Sequence, residues 1–163
     1  SLTLDVEGSV RGERLADTVV DTYGRLGITV DINKIPSNEF FNILTDPKKS
    51  HDLTLSGWAP DWPGGSGSIP ALFDGDLIKD GGNTNYGKLD DPKINKLIDE
   101  AGAESDPDKA HKLWGELDEK LQKHAAAVPI VYAKLLALCG QDVRGGVLNT
   151  ALGAVDIASL GVK

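Results

Sequence analysis

The first third of the chain alternates between strand-like and helix-like patterns, and this alternation restricts the fold more than any other feature. Apolar and polar residues alternate at 2–6, 28–35 and 52–56, as they do in strands. Between these segments, apolar residues recur at three- and four-residue steps over 10–26 and again after Pro36, as they do on one face of a helix. Because helices that connect strands in this order join parallel neighbours, the pattern predicts an α/β fold, a mostly parallel sheet with flanking helices.

Residues that commonly begin and end helices mark the boundaries of these elements. Gly27 stands where a helix C-terminus favours glycine, and Ser37 is predicted to cap the short second helix. The Asp-Pro pairs at 91–92 and 106–107 each place an acidic N-cap before a proline suited to the first helical position. Two further helices are therefore predicted, and Trp114 falls on the apolar face of the second, where a core position is expected.

The segment that follows these helices is apolar. Residues 129–132 predict a strand, and more strand is predicted at 135–139. The single cysteine, Cys139, lies on this run and is predicted to be a small buried side chain. Residues 141–163 form a glycine-rich tail with short apolar stretches.

The balance of charge argues against a nucleic-acid partner. The chain has 17 basic and 25 acidic residues and a formal net charge of −8. Recognition of a phosphate backbone needs clustered Lys and Arg, so no nucleic acid is expected to bind. The three histidines are scattered and do not have the spacing of metal ligands, so neither a metal nor a cofactor is expected.

Residues 53–68, LTLSGWAPDWPGGSGS, contain the candidate binding site. An apolar strand ends near Gly57, and Trp58, Asp61 and Trp62 follow on a loop that two prolines stiffen. Indole faces bury ligand area at a small entropic cost, a carboxylate between them attracts a cation, and ligands of open parallel sheets lie beyond the carboxyl ends of strands. The residues alone equally allow tryptophans that cover the sheet edge and an aspartate that only caps a turn.

Two other classes of function are open at this point. A small hydrolase could be built around Ser66, with His51 as the base, or around the carboxylates of 74–91. A stand-alone interaction module could instead use the two tryptophans as anchors for a protein partner. The glycine- and serine-rich stretch 64–68 lacks the frame of a nucleophile elbow and is interpreted as a flexible loop.

The order of several short motifs resembles one protein family. Residues 57–63, GWAPDWP, resemble the signature GW-x-x-D-(aromatic)-x-D-P of the peptide/nickel-type extracellular solute-binding proteins, the receptors of ABC importers. The second Asp-Pro of that signature is replaced by Gly64 and Gly65. Further stretches match the family pattern in the expected order, at 85–86, 91–101, 106–121 and 128–132. The resemblance covers most of residues 2–160.

This resemblance implies a fold and a role. The expected fold is a lobe of the type II periplasmic-binding-protein class, with residues 1–163 as the C-terminal ligand-binding lobe of a larger two-lobed receptor. The tail at 152–163 is expected to belong to the missing N-terminal lobe. The implied role is to bind a peptide or another small solute and deliver it to an ABC permease, without catalysis. The implied location is periplasmic or extracellular, the latter as a cell-surface lipoprotein.

The resemblance also suggests which residues bind the ligand. In the family's peptide-binding members, the aspartate at the position of Asp61 receives the α-ammonium group of the peptide, and the tryptophan matching Trp58 walls the pocket. Trp62 is expected to provide a second wall. The rim is assigned to four more distant residues, Phe73, Asn83, Asn85 and Tyr86. Because a single lobe provides only half of the contacts to the ligand, the chain alone is expected to bind peptides with millimolar affinity or weaker.

Overall fold

The computed structural model describes residues 1–134, 136–149 and 153–162. The N-terminal part alternates strands and helices: β1 Leu2–Glu7, α1 Val10–Gly24, β2 Val30–Ile35, α2 Ser37–Leu44 and β3 Leu53–Thr54. The remainder contains three helices, α3 Ile69–Phe73, α4 Pro92–Ala103 and α5 Pro107–His124. Four two-residue strands complete it: β4 Val143–Arg144, β5 Leu148–Asn149, β6 Ala154–Val155 and β7 Gly161–Val162.

The first three strands form a parallel sheet in the order β2-β1-β3. Strand β1 is central and pairs with β2 over six residues, from Leu2 opposite Val30 to Glu7 opposite Ile35. Its pairing with β3 is much shorter and places Leu4 opposite Leu53. The predicted α/β class with a mostly parallel sheet is therefore confirmed. The short strands of the tail pair in two antiparallel ladders, β4 with β7 and β5 with β6.

Three apolar clusters make up the core. The first packs α1 against one face of the sheet and contains Leu4, Val6, Ala16 and Val30. The second joins the end of β2 to α2 and contains Ile35, Phe40 and Leu44. The third lies between α3, α4 and α5 and contains Ile69, Ile94, Ile98, Ala101, Trp114, Leu117 and Leu121. The prediction that Trp114 is a core residue is thus confirmed.

Most of the predicted helix boundaries agree with the structure. Gly27 adopts a positive φ of 75° after α1, and the amide of Ile28 bonds to the carbonyl of Tyr23, as in a glycine-terminated helix. Asp91 and Asp106 cap α4 and α5 with their side chains. The prediction for Ser37 is wrong, because the cap position is Pro36 and no side chain caps α2. Proline has already ended β2 there, so the helix begins one residue earlier than a serine cap would allow.

The segment after α5 differs from its prediction. Residues 129–132 form no strand and are exposed, and 136–139 likewise lie outside any strand, while Leu135 falls outside the described residues. The apolar side chains of Tyr132, Leu136 and Leu138 are almost completely exposed. Cys139 is exposed too, not buried as expected. A strand needs an adjacent edge for its backbone hydrogen bonds, and in the described part of the chain no edge reaches this segment.

Within the described residues, no helix is both long enough and apolar enough to cross a membrane.

Candidate functional site

The predicted site lies on residues 57–68, which we call the Trp loop. The loop follows β3 and ends in a single 3₁₀ turn, Gly65–Gly67, before α3. Two indole hydrogen bonds close it: Trp58 Nε1 donates to the carbonyl of Gly67 at 3.2 Å, and Trp62 Nε1 donates to Ser66 Oγ at 2.9 Å. The orientations of both rings are therefore restrained by the far end of the same loop.

The three central residues of the site differ in exposure. Trp58 is half-buried, whereas Trp62 is 52% exposed and Asp61 is exposed between them in the chain. Among the described residues, no side chain or amide forms a hydrogen bond or ion pair with the Asp61 carboxylate. The structure thus presents an unpaired negative charge on the same short loop as two restrained indoles, and such a set of groups can receive an organic cation.

Two of the glycines of the Trp loop, Gly65 and Gly67, are packing positions. A Cβ on Gly65 would lie 2.7 Å from Cβ and from Cγ of Trp114, so the loop backbone rests directly on that buried side chain. A Cβ on Gly67 would lie 2.3 Å from the carbonyl oxygen of Trp62. Two glycines of the stretch 64–68 therefore permit contacts that any side chain would block, while its interpretation as a flexible loop stays a prediction.

The packing role of Gly65 and Gly67 was not predicted from the sequence, which contains only part of the signal for it. The short spacing of Gly65 and Gly67 beside two tryptophans is compatible with a compact turn. The partner that makes Gly65 necessary, Trp114, is far away in the sequence and could not be identified from local pattern.

The rim residues Asn83 and Asn85 lie inside the loop that carries them. Asn85 is completely buried; its Nδ2 donates to the carbonyls of Leu89 (2.7 Å) and Asp74 (3.2 Å), and its Oδ1 accepts from the amide of Leu89 (3.0 Å). Asn83 is also buried and donates from Nδ2 to the carbonyl of Asn85. Asparagine side chains commonly replace backbone partners in this way. The stretch 83–89 is thus held by its own side chains, and Asn85 does not face solvent.

Tyr86 and Phe73 are half-buried against two different parts of the core. Tyr86 packs against the cluster of α2, and burial raises the pKa of its phenol above the ordinary value of 10.0. Phe73 packs against the cluster between α3, α4 and α5. The structure therefore brings Trp58, Asp61 and Trp62 together on one loop, while the rim residues belong to other packing units.

The residues considered for hydrolysis have other partners. His51 Nδ1 lies 2.7 Å from a carboxylate oxygen of Asp5, and Ser66 Oγ accepts from Trp62. No hydrogen bond joins His51 to Ser66 within the described ranges, so the structure does not favour the hydrolase alternative. In the same ranges, no group of three His, Cys, Asp or Glu side chains could hold a metal ion.

Two shallow grooves occur away from the Trp loop. One, of about 330 Å³, lies between the start of α4 and the end of α5 and is lined by Ile94, Leu97 and His124 among others. The other, of about 300 Å³, lies beside Asp76, Asp90 and Asn95. Neither groove includes a residue of the Trp loop.

Comparison with known proteins identifies the relatives of this chain. No protein-family model matches it. It is 27% identical over 137 residues to "Probable di/tripeptide-binding protein 5" of Pseudomonas aeruginosa, covering 84% of this chain and 25% of that protein. It is 23% identical over 117 residues to the oligopeptide-binding protein OppA of Mycobacterium tuberculosis, covering 72% of this chain and 19% of that protein. The structure of "Clavulanic acid biosynthesis oligopeptide binding protein 2" superposes with a TM-score of 0.87 at 30% identity, over 98% of this chain and 30% of that one.

The chain is homologous to a segment of the oligopeptide- and dipeptide-binding proteins of ABC importers. The fold of the chain is that of the type II periplasmic binding proteins, as predicted. The peptide-binding protein AppA of Bacillus subtilis shares that fold over 99% of the chain, with a TM-score of 0.76 at 17% identity. The present chain spans about a quarter of the length of its Pseudomonas aeruginosa relative. Its relatives are binding proteins of transport systems and not enzymes.

Proposed function

We propose that this chain is the C-terminal ligand-binding lobe of a two-lobed solute-binding protein, and that its Trp loop binds the amino terminus of a peptide. The observation that carries the proposal is the exposed, unpaired carboxylate of Asp61, which lies in the chain between two tryptophans whose indoles are held by hydrogen bonds. A carboxylate that needs no rearrangement before it meets an ammonium group loses little free energy to ordering on binding.

The charge of the surrounding sequence supports a cationic ligand group. Residues 53–78 contain three aspartates, Asp61, Asp74 and Asp76, and no Lys, Arg or His. No cation within that stretch competes with the ligand for Asp61. The same stretch provides no positive group for the carboxyl end of a peptide, so a free carboxylate would have to be received elsewhere in the receptor.

The exposed apolar segment supports a larger receptor. Among the described residues 128–134 and 136–138, the side chains of Val128, Tyr132, Leu136 and Leu138 are more than two-thirds exposed. Exposed apolar surface on this scale favours an interaction site. We propose that the other lobe of the receptor covers this segment and also contacts the tail at 152–163. The exposure of Asp61 and Trp62 fits the same arrangement, with the second lobe closing over the ligand.

The same proposal extends to partners and location. Relatives named for peptide binding support a peptide or similar small solute as the ligand, and their transport family supports an ABC permease as the receiving partner. A receptor of this kind works outside the cytoplasmic membrane, in the periplasm or as a lipoprotein at the cell surface. Catalysis has no part in the proposed role.

Titration of the chain with trialanine, followed by NMR, tests this function. We expect the indole resonances of Trp58 and Trp62 to shift with a dissociation constant in the millimolar range, about −4 kcal/mol of binding free energy. N-acetyl-trialanine lacks the charged ammonium group and should leave both resonances in place. Asp61→Asn should abolish the response, whereas Asp17→Asn, an exposed aspartate on α1, should not alter it.

Two outcomes would contradict the proposal. Equal binding of the acetylated peptide would remove the ammonium contact from the mechanism. Micromolar affinity of this chain alone would show that one lobe is sufficient, against the idea that it provides only half of a binding site.

A further inference from the structure

Asp5 is a buried carboxylate that the proposed binding site does not use. It lies in the middle of β1, is 1% exposed, and alternates with Leu4 and Val6, which pack against α1 on the other face of the sheet. The sequence contained the signal, since an acidic residue in a central strand is costly to bury unless it has partners. The hydrogen-bond partners of Asp5 therefore indicate its role.

Three donors surround the Asp5 carboxylate. Oδ1 accepts from Asn33 Nδ2 at 2.7 Å and lies 2.7 Å from His51 Nδ1, and Oδ2 accepts from the amide of His51 at 2.9 Å. Within the part of the chain that the structure describes, His51 is the only basic side chain that touches Asp5. The side chain of His51 is 48% exposed, so its ring can exchange protons with water.

The contacts of Asp5 hold the segment that leads into the Trp loop. Strand β3 pairs with β1 at two residues, and the amide of Leu55 adds one bond to the carbonyl of Asp5 at 3.0 Å. Just before β3, the side chain of Asp52 accepts from the amide of Thr3 at 2.8 Å. Because the backbone ladder is so short, side-chain bonds from Asp5 and Asp52 make up a large part of what attaches residues 51–55 to the sheet.

The other charged groups near this pair are engaged or distant. Strand β2 presents the neutral Asn33, and α2, which packs against β1, has one charged residue, Glu39, exposed in its first turn. On the preceding turn, Lys49 pairs with Asp46. The ring of His51 therefore has Asp5 as its charged neighbour, with Asp52 beside it in sequence.

We propose that Asp5 and His51 form a proton-dependent anchor that sets the position of the Trp loop. A neutral His51 ring donates one hydrogen bond from Nδ1 to the Asp5 carboxylate, and protonation of the ring turns the same contact into an ion pair with a buried carboxylate. Protonation thus holds residues 51–55 more firmly against β1, and deprotonation loosens the strand from which the loop extends. His51 acts as a positioning residue, and the inference holds whether or not the loop binds peptides.

NMR of the ligand-free chain between about pH 5 and pH 8 tests the anchor, because histidine titrates in this range. The ring protons of His51 and the indole N–H resonances of Trp58 and Trp62 are followed together. We expect the indole resonances to shift with the same midpoint as the His51 ring. His51→Gln, which keeps the backbone amide bond to Asp5, should remove that pH-dependent shift while the chain remains folded.

Matched variants separate the anchor from general effects of pH. His111→Gln changes an exposed histidine on α5 and should leave the indole titration as in the unmodified chain. Asp5→Asn, if it folds, should abolish the indole shift even though His51 still titrates; if it does not fold, His51→Gln decides the question alone. Indole resonances that do not follow His51, or that keep their pH response in His51→Gln, would overturn the proposal.

Discussion

Single residues of the Trp loop owe their identity to contacts with distant parts of the chain. Gly65 permits the backbone to rest on Trp114, and Ser66 receives the indole N–H of Trp62. The site is therefore shaped by packing beneath it as well as by the side chains that face solvent. A substitution below the loop should disturb the site without touching Asp61.

Gly65→Ala should destabilise the fold by about 1–3 kcal/mol, because its Cβ would overlap the Trp114 side chain. Gly115→Ala is a matched control on the helix that carries Trp114. A Cβ at Gly115 meets nothing within 4 Å, so we expect a gain of about 0.5–1 kcal/mol from the higher helix propensity of alanine. Urea denaturation measures both values, and equal stabilities of the two variants would contradict the packing argument.

Tyr86 should make stability depend on alkaline pH. Burial raises the pKa of its phenol above 10.0, so the folded state favours the neutral form. Its contribution is fully present below pH 10.0 and is lost as the pH rises through the folded-state pKa. Ultraviolet titration should show a late-ionising phenol that Tyr86→Phe removes and that Tyr132→Phe, at an exposed position, leaves in place. If Tyr132→Phe removed the late-ionising phenol, that phenol would belong to Tyr132, and the prediction for Tyr86 would be contradicted.

At the scale of elements, α4 and α5 begin with the same device. Asp91 Oδ1 accepts from the amide of Lys93 at 2.8 Å, and Asp106 Oδ1 accepts from the amides of Asp108 and Lys109 at 3.0 and 3.3 Å. Each aspartate satisfies amides that the first helical turn leaves without partners. Both helices pack against the cluster beneath the Trp loop, so their starts also affect the support of the site.

Asp106→Ala should therefore cost about 1 kcal/mol of unfolding free energy, the usual value of an N-cap. Asp108→Ala is the control, because Asp108 is an exposed residue of the same first turn that interacts mainly with the helix dipole. We expect its loss to be about 0.3–1 kcal/mol, smaller than that of the cap. Chemical denaturation of both variants checks the order, and a larger loss for Asp108→Ala would contradict the capping role.

At the scale of the whole molecule, the chain has a packed part and an unpacked part. The buried apolar residues named in the three core clusters lie between Leu4 and Leu121. The described residues after α5 are mostly exposed, including an apolar segment without a strand partner. The stability of the isolated chain should therefore reside in the part before residue 125.

Trypsin should cut first after Lys134, because this lysine is exposed in a segment that has no helix or strand and no buried side chain among its described residues, unlike the loop held by the buried Asn83 and Asn85. Mass spectrometry identifies the product, and Lys134→Gln should remove the early cut. Lysines within α5 should resist for longer, since cleavage there requires the helix to open. A first cut within residues 1–124 would contradict this division. Protection of Lys134 in a longer chain that includes the proposed second lobe would support coverage by that lobe.

The local elements could be predicted from the sequence because their causes are local. Alternation over 2–6 and 28–35 predicted the paired strands, and the Asp-Pro pairs predicted the starts of α4 and α5. The Trp loop was located for the same reason, since its aromatic and acidic residues lie within a few positions of one another. Whether Asp61 binds a peptide stays a prediction for the experiments above.

Periodicity and capping act between residues at most a few positions apart. The sequence alone therefore determined the α/β class, the strands β1 and β2, and the helices with aspartate caps. The tertiary structure decided what depends on distant partners. In the tertiary structure the Asn85 side chain faces the interior of its own loop, and Gly65 packs against Trp114. Asp5 contacts His51, and residues 129–132 have no strand partner. Burial of a polar side chain and pairing of a strand depend on which remote surfaces meet, and no local pattern records that meeting.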